Sequence, residues 1–433
     1  MKKLLIAFKE LKYFLILWST QAFSALGSAM TSFALIVWSY EQQGSALTTA
    51  LLSVCSYAPY VLMSIFAGAF SDRWKKKVTL LVCDTLAALT TIAVFVLLKT
   101  NRLQVWHLYG LNALNGLMNT VQKPAADVTV SLLTPQKHYQ RVSGMQSFSN
   151  SLVTILSPML AASCLALFGI QSVLIFDLLS FAVAFCALLC FIKIPELPQG
   201  SMQREPILKS AKAGLQYLRD HRGILDLILF LAAINLTASV YHAALPAMLL
   251  SRNGGSEVAL GLLNTVTGVA MLAGSVFASI LPAPKSRVRV ILNTLLISMS
   301  TENFFLAFGQ SIPIWCIGGV LGWFTIPMMN ANMDVLFRDT IPLSMQGRVY
   351  SARNSLQFFT IPIGYFLGGF LVDHLFEPFM AASQKGSVLR FLFGEGKGSG
   401  AALLFFVIAW AGIITCLVFR KDRHIWSLEK ERG

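Results

Sequence analysis

Charged residues are scarce in this chain. They make up 12% of its 433 residues, about half the share found in a soluble domain. The charges stand between long apolar runs and do not line amphipathic faces. Such a composition excludes an ordinary soluble globular domain and indicates a protein of the lipid bilayer.

Sequence motifs for catalysis are absent as well. The chain has no Walker phosphate-binding loop, no His-Glu-x-x-His and no Gly-x-Ser-x-Gly, so the motifs of ATP-driven transport and of hydrolysis are missing. All seven cysteines fall within apolar runs, and the six histidines are scattered. We therefore expect no enzyme activity, no cofactor, no metal site and no disulfide.

Twelve apolar runs are long enough to cross a bilayer, which takes about 20 residues of helix. Helices satisfy their own backbone hydrogen bonds in hydrocarbon, so we predict an all-α membrane protein. The predicted spans are about 12–40, 46–71, 78–99, 104–133, 144–168, 170–193, 223–250, 257–283, 290–309, 311–337, 347–376 and 400–419. Residues 376–400 are then a long outer loop whose role the sequence leaves open.

Lysine and arginine are distributed unevenly across these spans. If both termini are cytoplasmic, 27 of the 34 lie on the inner side and 6 on the outer side, with Lys123 inside a span. This bias predicts cytoplasmic termini and a multi-pass protein of the cytoplasmic membrane. The net charge of +14 therefore has a topological origin, with anionic lipid headgroups as its partner and not nucleic acid.

The longest polar interval divides the spans into six and six. We predict a six-helix bundle over residues 1–194, a cytoplasmic linker with an amphipathic segment over 195–222, and a second bundle with a short cytoplasmic tail over 223–433. Pro124 in the fourth span and Pro327 in the tenth occupy similar places. A duplicated six-helix unit is typical of secondary transporters.

The junction between the second and third spans carries the strongest motif, Gly68-x-x-x-Asp72-Arg73-x-Lys75-Lys76-Lys77. It resembles the signature loop of the major facilitator superfamily. Further stretches are similar to the branch that contains macrolide-efflux and siderophore-export proteins: Ser157-Pro158, Phe176-Asp177, Gly347-Arg348-Val349, Ile361-Pro362-Ile363-Gly364 and Gly368-Gly369 with Asp373. The resemblance implies twelve helices in two pseudo-symmetric bundles that transport by alternating access.

The resemblance also implies a gate on the cytoplasmic side. In similar proteins the acid that corresponds to Asp72 contacts the inner end of the eleventh helix, which here lies near Gly347 and Arg348. The predicted gating residues are Gly68, Asp72, Arg73, Lys76, Lys77, Gly347 and Arg348. The alternative is that the basic residues only set the orientation of the chain and that the acid only pairs with them.

Polar residues inside the spans recur at intervals of three and four, so each set lies on one side of its helix. They either line a substrate cavity or form hydrogen bonds between helices. The cavity candidates are Gln21, Ser24, Ser28, Thr31, Tyr57, Asn115, Asn119, Asn235, Ser239, His242, Asn354 and Gln357.

Charges within spans are costly and mark pathways for ions or protons. We predict Glu302 or Asp127 as a proton carrier, with Asp334 as a third candidate. Asp127 stands one turn from Lys123 and could instead pair with it, whereas Asp177 is expected to be structural. The first span, over 14–40, contains no acid, although several drug/proton antiporters of this superfamily have one there.

The sequence therefore predicts a proton-coupled exporter of amphipathic or hydrophobic small molecules, of the drug or macrolide type, acting as a monomer. One alternative is a carrier of the same fold for a siderophore, a lipid or a nutrient. Another is an uncoupled lipid scramblase or a sensor that no longer transports.

Overall fold

The computed structural model describes residues 10–73, 75–135, 138–194, 207–252, 255–282, 284–384 and 386–430. This part of the chain contains helices and no strands. Eleven of its helices are long and apolar enough to cross a membrane. The predicted all-α membrane fold is confirmed, while the count of twelve spans and the cytoplasmic termini stay predictions.

The first half of the chain folds into six long helices. The fourth is not among the eleven apolar helices, since it contains Lys123 and Asp127 together with several amides. The bounds are α1 Lys12–Gln43, α2 Ala46–Arg73, α3 Lys76–Lys99, α4 Val105–Leu133, α5 Tyr139–Phe168 and α6 Ile170–Cys190.

The second half has more helices because two of its predicted spans are interrupted and because shorter helices lie between and after the spans. The bounds are α7 Ile207–Asp220, α8 Arg222–Ser251, α9 Glu257–Ile280, α10 Arg287–Phe308, α11 Ile312–Trp323, α12 Ile326–Thr340, α13 Leu343–Phe358, α14 Thr360–Leu371, a π-helical turn Val372–Phe376, α15 Glu377–Ala382, α16 Val388–Phe393, α17 Ser399–Arg420 and α18 Arg423–Lys430.

Proline accounts for the break in the tenth span. Pro327 lies in the first turn of α12, where its missing N–H and fixed φ angle are tolerated. The eleventh span differs from its predicted end, because the helical path continues through the π-helical turn to Ala382. The predicted outer loop over 376–400 is therefore mostly helical, with α15, α16 and the start of α17 in it.

A buried arginine connects α16 of this segment to α10 and α11. Arg252, at the end of α8, donates to the carbonyl oxygens of Leu306 at 3.2 Å and Phe393 at 2.9 Å. Its guanidinium also lies 5.8 Å from the centre of the Trp315 ring. Burial lowers the pKa of Arg252 to about 10, so the side chain is still charged at neutral pH.

The chain divides into two compact units. Unit 1 comprises Met1–Trp38 and Cys55–Arg204, and unit 2 comprises Ser39–Val54 and Glu205–Gly433. The end of α1 and the start of α2 thus belong to unit 2. The predicted bundle boundaries stay a prediction.

The C-terminal helix α18 is part of the core of unit 2. Ile425 and Leu428 of α18 are buried in an apolar cluster with residues of α8 and α10. The Glu429 carboxylate accepts from the Ser286 hydroxyl at 2.9 Å and from the Val288 amide at 2.8 Å. It therefore caps α10, where free N–H groups and the positive end of the helix dipole favour an anion.

Both units contain helices in very close contact at glycines. In unit 1, a Cβ atom on Gly116 of α4 would stand 2.1 Å from the carbonyl oxygen of Ser56 in α2. In unit 2, a Cβ atom on Gly274 of α9 would stand 2.1 Å from the carbonyl oxygen of Phe324. Small residues let membrane helices approach this closely.

We expect Gly116→Ala to lower the free energy of unfolding by about 1–3 kcal/mol. The added methyl group meets a backbone oxygen, which can move only if the helix that carries it moves as well. Gly110→Ala on the same helix is the matched control, since no atom lies within 4 Å of a Cβ there. Thermal unfolding in lipid nanodiscs measures both, and equal stability of the two variants would contradict the close packing.

Candidate functional site

The carboxylate of Glu302 lies in the interior of unit 2, on α10. Its side chain is only 4% exposed. One oxygen, Oε1, accepts from the Tyr241 hydroxyl of α8 at 2.5 Å and from the indole Nε1 of Trp323 at 2.7 Å. In the described part of the chain no lysine or arginine pairs with it. Glu302 is thus a buried acid held by neutral donors.

The packing beside Glu302 depends on Gly322. A Cβ atom at this position would stand 2.7 Å from the Cβ of Glu302 and 2.8 Å from its Oε2. The absence of a side chain on Gly322 therefore lets the carboxylate lie against α11. The hydroxyls of Ser300 and Thr301, which adjoin Glu302 in the sequence, do not donate to its carboxylate. Both donate to carbonyl oxygens of their own helix.

The two donors of this acid belong to a set of four neighbouring rings that we call the ring cluster: Tyr241, His242, Trp323 and Tyr365. The centre of the His242 ring lies 5.1 Å from that of Tyr241, 5.9 Å from that of Trp323 and 6.4 Å from that of Tyr365. Tyr241 is buried and His242 is exposed. The cluster therefore runs from a buried carboxylate to an accessible imidazole.

A second buried acid, Asp84 of α3, lies in unit 1. Its two carboxylate oxygens accept from the side-chain amides of Gln21 at 3.2 Å and Gln122 at 2.5 Å. Gln21 is one of the predicted cavity residues, whereas the sequence offered no reason to select Gln122. These neutral amides satisfy Asp84 without a cation.

A third buried acid, Asp177 of α6, joins three helices of unit 1. It accepts from the hydroxyls of Ser28 at 3.1 Å, Thr31 at 3.0 Å and Thr91 at 3.1 Å. A Cβ atom on Gly27 would stand 2.9 Å from the Cα of Asp177, so α1 and α6 are in close contact here. Two residues of the predicted cavity row on α1 thus bond to another helix.

The remaining cavity candidates fall into two groups. Some form hydrogen bonds: Asn115 accepts from Thr90 at 3.3 Å, Asn235 donates to the carbonyl of Gln357 at 3.2 Å, and the Gln357 side chain accepts from Arg353 at 3.1 Å. The others differ in exposure: Ser239 is buried, Ser24 is half-buried, and Tyr57, Asn119 and Asn354 are exposed.

The other two proton-carrier candidates differ from Glu302 in their surroundings. Asp127 of α4 and Asp334 of α12 are both exposed. Lys123, the proposed partner of Asp127, is exposed as well. Asp127 interacts electrostatically with Lys123, and Asp334 interacts with Arg353. Among the three acids only Glu302 combines burial with neutral donors.

The charged junction is described in part. The ammonium group of Lys77 donates to the carbonyl oxygens of Leu189 at 2.9 Å and Ile192 at 2.8 Å, at the end of α6. A cation is favourable at the C-terminus of a helix. Lys76 is half-buried. The side chains of Asp72, Arg73 and Arg348, and the surroundings of Gly68 and Gly347, lie outside the described part of the structure.

Comparison with known proteins gives a consistent result. A model described as Major Facilitator Superfamily matches residues 17–247. Macrolide efflux protein A of Streptococcus pyogenes is 22% identical over 370 residues, which cover 84% of this chain and 90% of that protein. Multidrug efflux pump Tap of Mycolicibacterium fortuitum is 24% identical over 347 residues, or 77% and 82% of the two chains.

Solved structures of similar fold have lower identity. The nucleoside transporter NupG has a TM-score of 0.69 and 13% identity, covering 95% of this chain and 99% of its own. A bacterial homologue of the iron transporter ferroportin, in an inward-facing state, has a TM-score of 0.68 and 15% identity, covering 95% and 98%. At such identities the likeness concerns the fold alone.

We expect Lys77→Met to destabilise unit 1 by about 1 kcal/mol, because two carbonyl oxygens at the end of α6 lose a charged donor. Lys75→Met removes a charge from the same junction and should have a smaller effect, since Lys75 is exposed. Thermal unfolding of both variants tests this. Equal losses of stability in the two variants would indicate that the positive charge of the junction stabilises unit 1 and that the cap on α6 does not.

Proposed function

Because this chain belongs to the Major Facilitator Superfamily, we propose that it uses the proton gradient to export amphipathic or hydrophobic small molecules across the cell membrane. The superfamily consists of transporters, and the chain is a multi-pass membrane protein. Proton coupling, the outward direction, the drug or macrolide type of cargo, the monomeric state and the interaction with anionic lipid are parts of the proposal.

The burial of the Glu302 carboxyl group is the observation that supports proton coupling. A charge within the membrane is expensive unless it is paired, and Tyr241 and Trp323 supply only neutral hydrogen bonds. Binding a proton removes the charge and with it most of this cost. A change in the access of water to Glu302 therefore changes its affinity for a proton, which is what coupling to alternating access requires.

The ring cluster supports the choice of cargo. Aromatic side chains give large apolar contact areas and polar edges, and small-molecule sites combine apolar walls with a few polar groups. His242 has this combination, because its exposed imidazole stands beside Trp323 and Tyr365. The relatives named macrolide efflux protein A and multidrug efflux pump Tap support export and a drug-like cargo.

The two alternatives differ from each other in what they require of Glu302. A carrier of another cargo in the same fold keeps the proton-binding acid and loses only drug transport. An uncoupled scramblase or a sensor needs no proton-binding acid. Transport of a drug against its gradient, abolished by a protonophore, would separate the proposal from both.

We expect Glu302→Gln to abolish pH-driven transport and to preserve exchange of labelled for unlabelled drug, because glutamine keeps the shape of the side chain and does not bind a proton at neutral pH. Reconstituted protein with a dye for luminal pH measures both reactions. Exchange shows that the variant is folded and binds its cargo.

The amide variants Asp127→Asn and Asp334→Asn are the matched comparison. Both should retain pH-driven transport, since these acids are exposed. Full coupling in Glu302→Gln would contradict the assignment, and loss of coupling in Asp127→Asn alone would identify Asp127 as the carrier.

We expect His242→Leu to weaken binding of a macrolide such as erythromycin about 2- to 10-fold in Kd, since an aromatic pair contributes about 0.5–1.5 kcal/mol. Ligand-induced thermal stabilisation measures this. His221→Leu is the control, because His221 also stacks on a tyrosine, 3.9 Å from Tyr217, but in the linker region. If His242→Leu binds the macrolide with unchanged Kd, the ring cluster is not part of the cargo-binding site.

A further inference from the structure

Two acids, one helical turn apart, end the eleventh span and hold the starts of two other helices. Asp373 lies in the π-helical turn Val372–Phe376, and Glu377 begins α15. The predicted inner gate does not involve these residues. All the contacts described below lie within unit 2.

The Asp373 carboxylate binds the first turn of α2 with both oxygens. Oδ1 accepts from the Ala46 amide at 3.0 Å, while Oδ2 accepts from the Leu47 amide at 2.9 Å and from the Ser45 hydroxyl at 2.6 Å. The Ser45 hydroxyl in turn accepts from the Thr48 amide at 3.1 Å. The carboxylate thus satisfies free N–H groups at the positive end of the helix dipole.

The pair Gly368-Gly369 brings α2 within reach of Asp373. A Cβ atom on Gly369 would stand 2.6 Å from the Cα of Leu47 and 2.9 Å from the Cβ of Ala50. A Cβ atom on Gly368 would stand 2.8 Å from the Cβ of Ala243 in α8. One glycine therefore packs against the start of α2, and its neighbour packs against a helix of the second half.

Glu377 makes the equivalent contact with α17. Its Oε1 accepts from the Gly398 amide at 2.9 Å and from the Ala401 amide at 3.2 Å. A Cβ atom on Gly400 would stand 2.4 Å from the Glu377 amide nitrogen, so the two segments are in direct contact. Both partners of this cap come from the second half of the chain.

We propose that Asp373 is a latch that holds the first turn of α2 at the end of the eleventh span and releases it when the outer side of the transporter opens. The helix α2 belongs to unit 2 only up to Val54 and to unit 1 from Cys55. This helix is continuous from Ala46 to Arg73. If it moves as one rigid body with its longer part, its first turn leaves Asp373. A contact made in one access state only shifts the balance between the states.

Glu377 separates this latch from a simple helix cap. It has the same chemistry and the same span, but its partner α17 moves together with α15. Loss of the Glu377 cap should therefore reduce stability and leave the access equilibrium unchanged. Loss of the Asp373 cap should shift the access equilibrium.

The test uses Thr49→Cys in a background without the seven native cysteines, as purified protein in lipid nanodiscs. Thr49 lies in the first turn of α2 and is 3% exposed, so a maleimide reaches a cysteine there only when the outer end separates. We expect Asp373→Asn to increase the labelling rate at least about tenfold, the factor that corresponds to one lost hydrogen bond to a charged group. Glu377→Gln should leave the rate unchanged.

Two results would overturn the latch. If neither variant changes the rate, the Asp373 contact does not bias the access states. If both variants increase it equally, the outer end loosens generally and Asp373 has no special role. The latch rests on the alternating access of the proposed function, but it requires no particular cargo or ion. The labelling experiment also involves no transport. The latch can therefore fail while the proposed function holds, and the reverse. Size-exclusion chromatography identifies variants that do not fold.

Discussion

Inside a bilayer every polar group must find its partner within the protein, and this requirement governs the arrangement of the buried acids. Asp84, Asp177 and Glu302 are each held by hydroxyl, amide or indole donors from other helices. These bonds connect helices that apolar packing alone would leave free to slide, because lipid competes equally for apolar surfaces.

The same requirement applies to helix ends. Lys77 caps the end of α6, Glu429 the start of α10, Glu377 the start of α17 and Asp373 the start of α2. Most of these caps join segments that belong to one unit throughout and thus stabilise that unit. The cap of Asp373 involves a helix that is shared by both units. For this reason an ordinary helix cap becomes a candidate for controlling the balance between the access states.

The proposed function assigns different tasks to buried acids of similar chemistry. Asp177 receives three hydroxyl donors and has the character of a structural junction. Glu302 receives two donors on one oxygen and stands beside a ring cluster that reaches an exposed imidazole. Proton binding at Glu302 and cargo binding at the ring cluster would thus occur side by side in one unit.

The sequence by itself determined the membrane class, the helical fold and the family resemblance, because long apolar runs and the charged junction are local features of the chain. It also offered Glu302, together with Asp127 and Asp334, as a candidate proton carrier, since an acid in an apolar run is visible in the sequence alone. The partners Tyr241, Trp323 and Gln122 were decided only by the tertiary structure, because they are distant along the chain and meet Glu302 and Asp84 only when helices pack. The motif Gly368-Gly369 with Asp373 was visible in the sequence, but its contact with α2 depends on three-dimensional packing that no local pattern encodes.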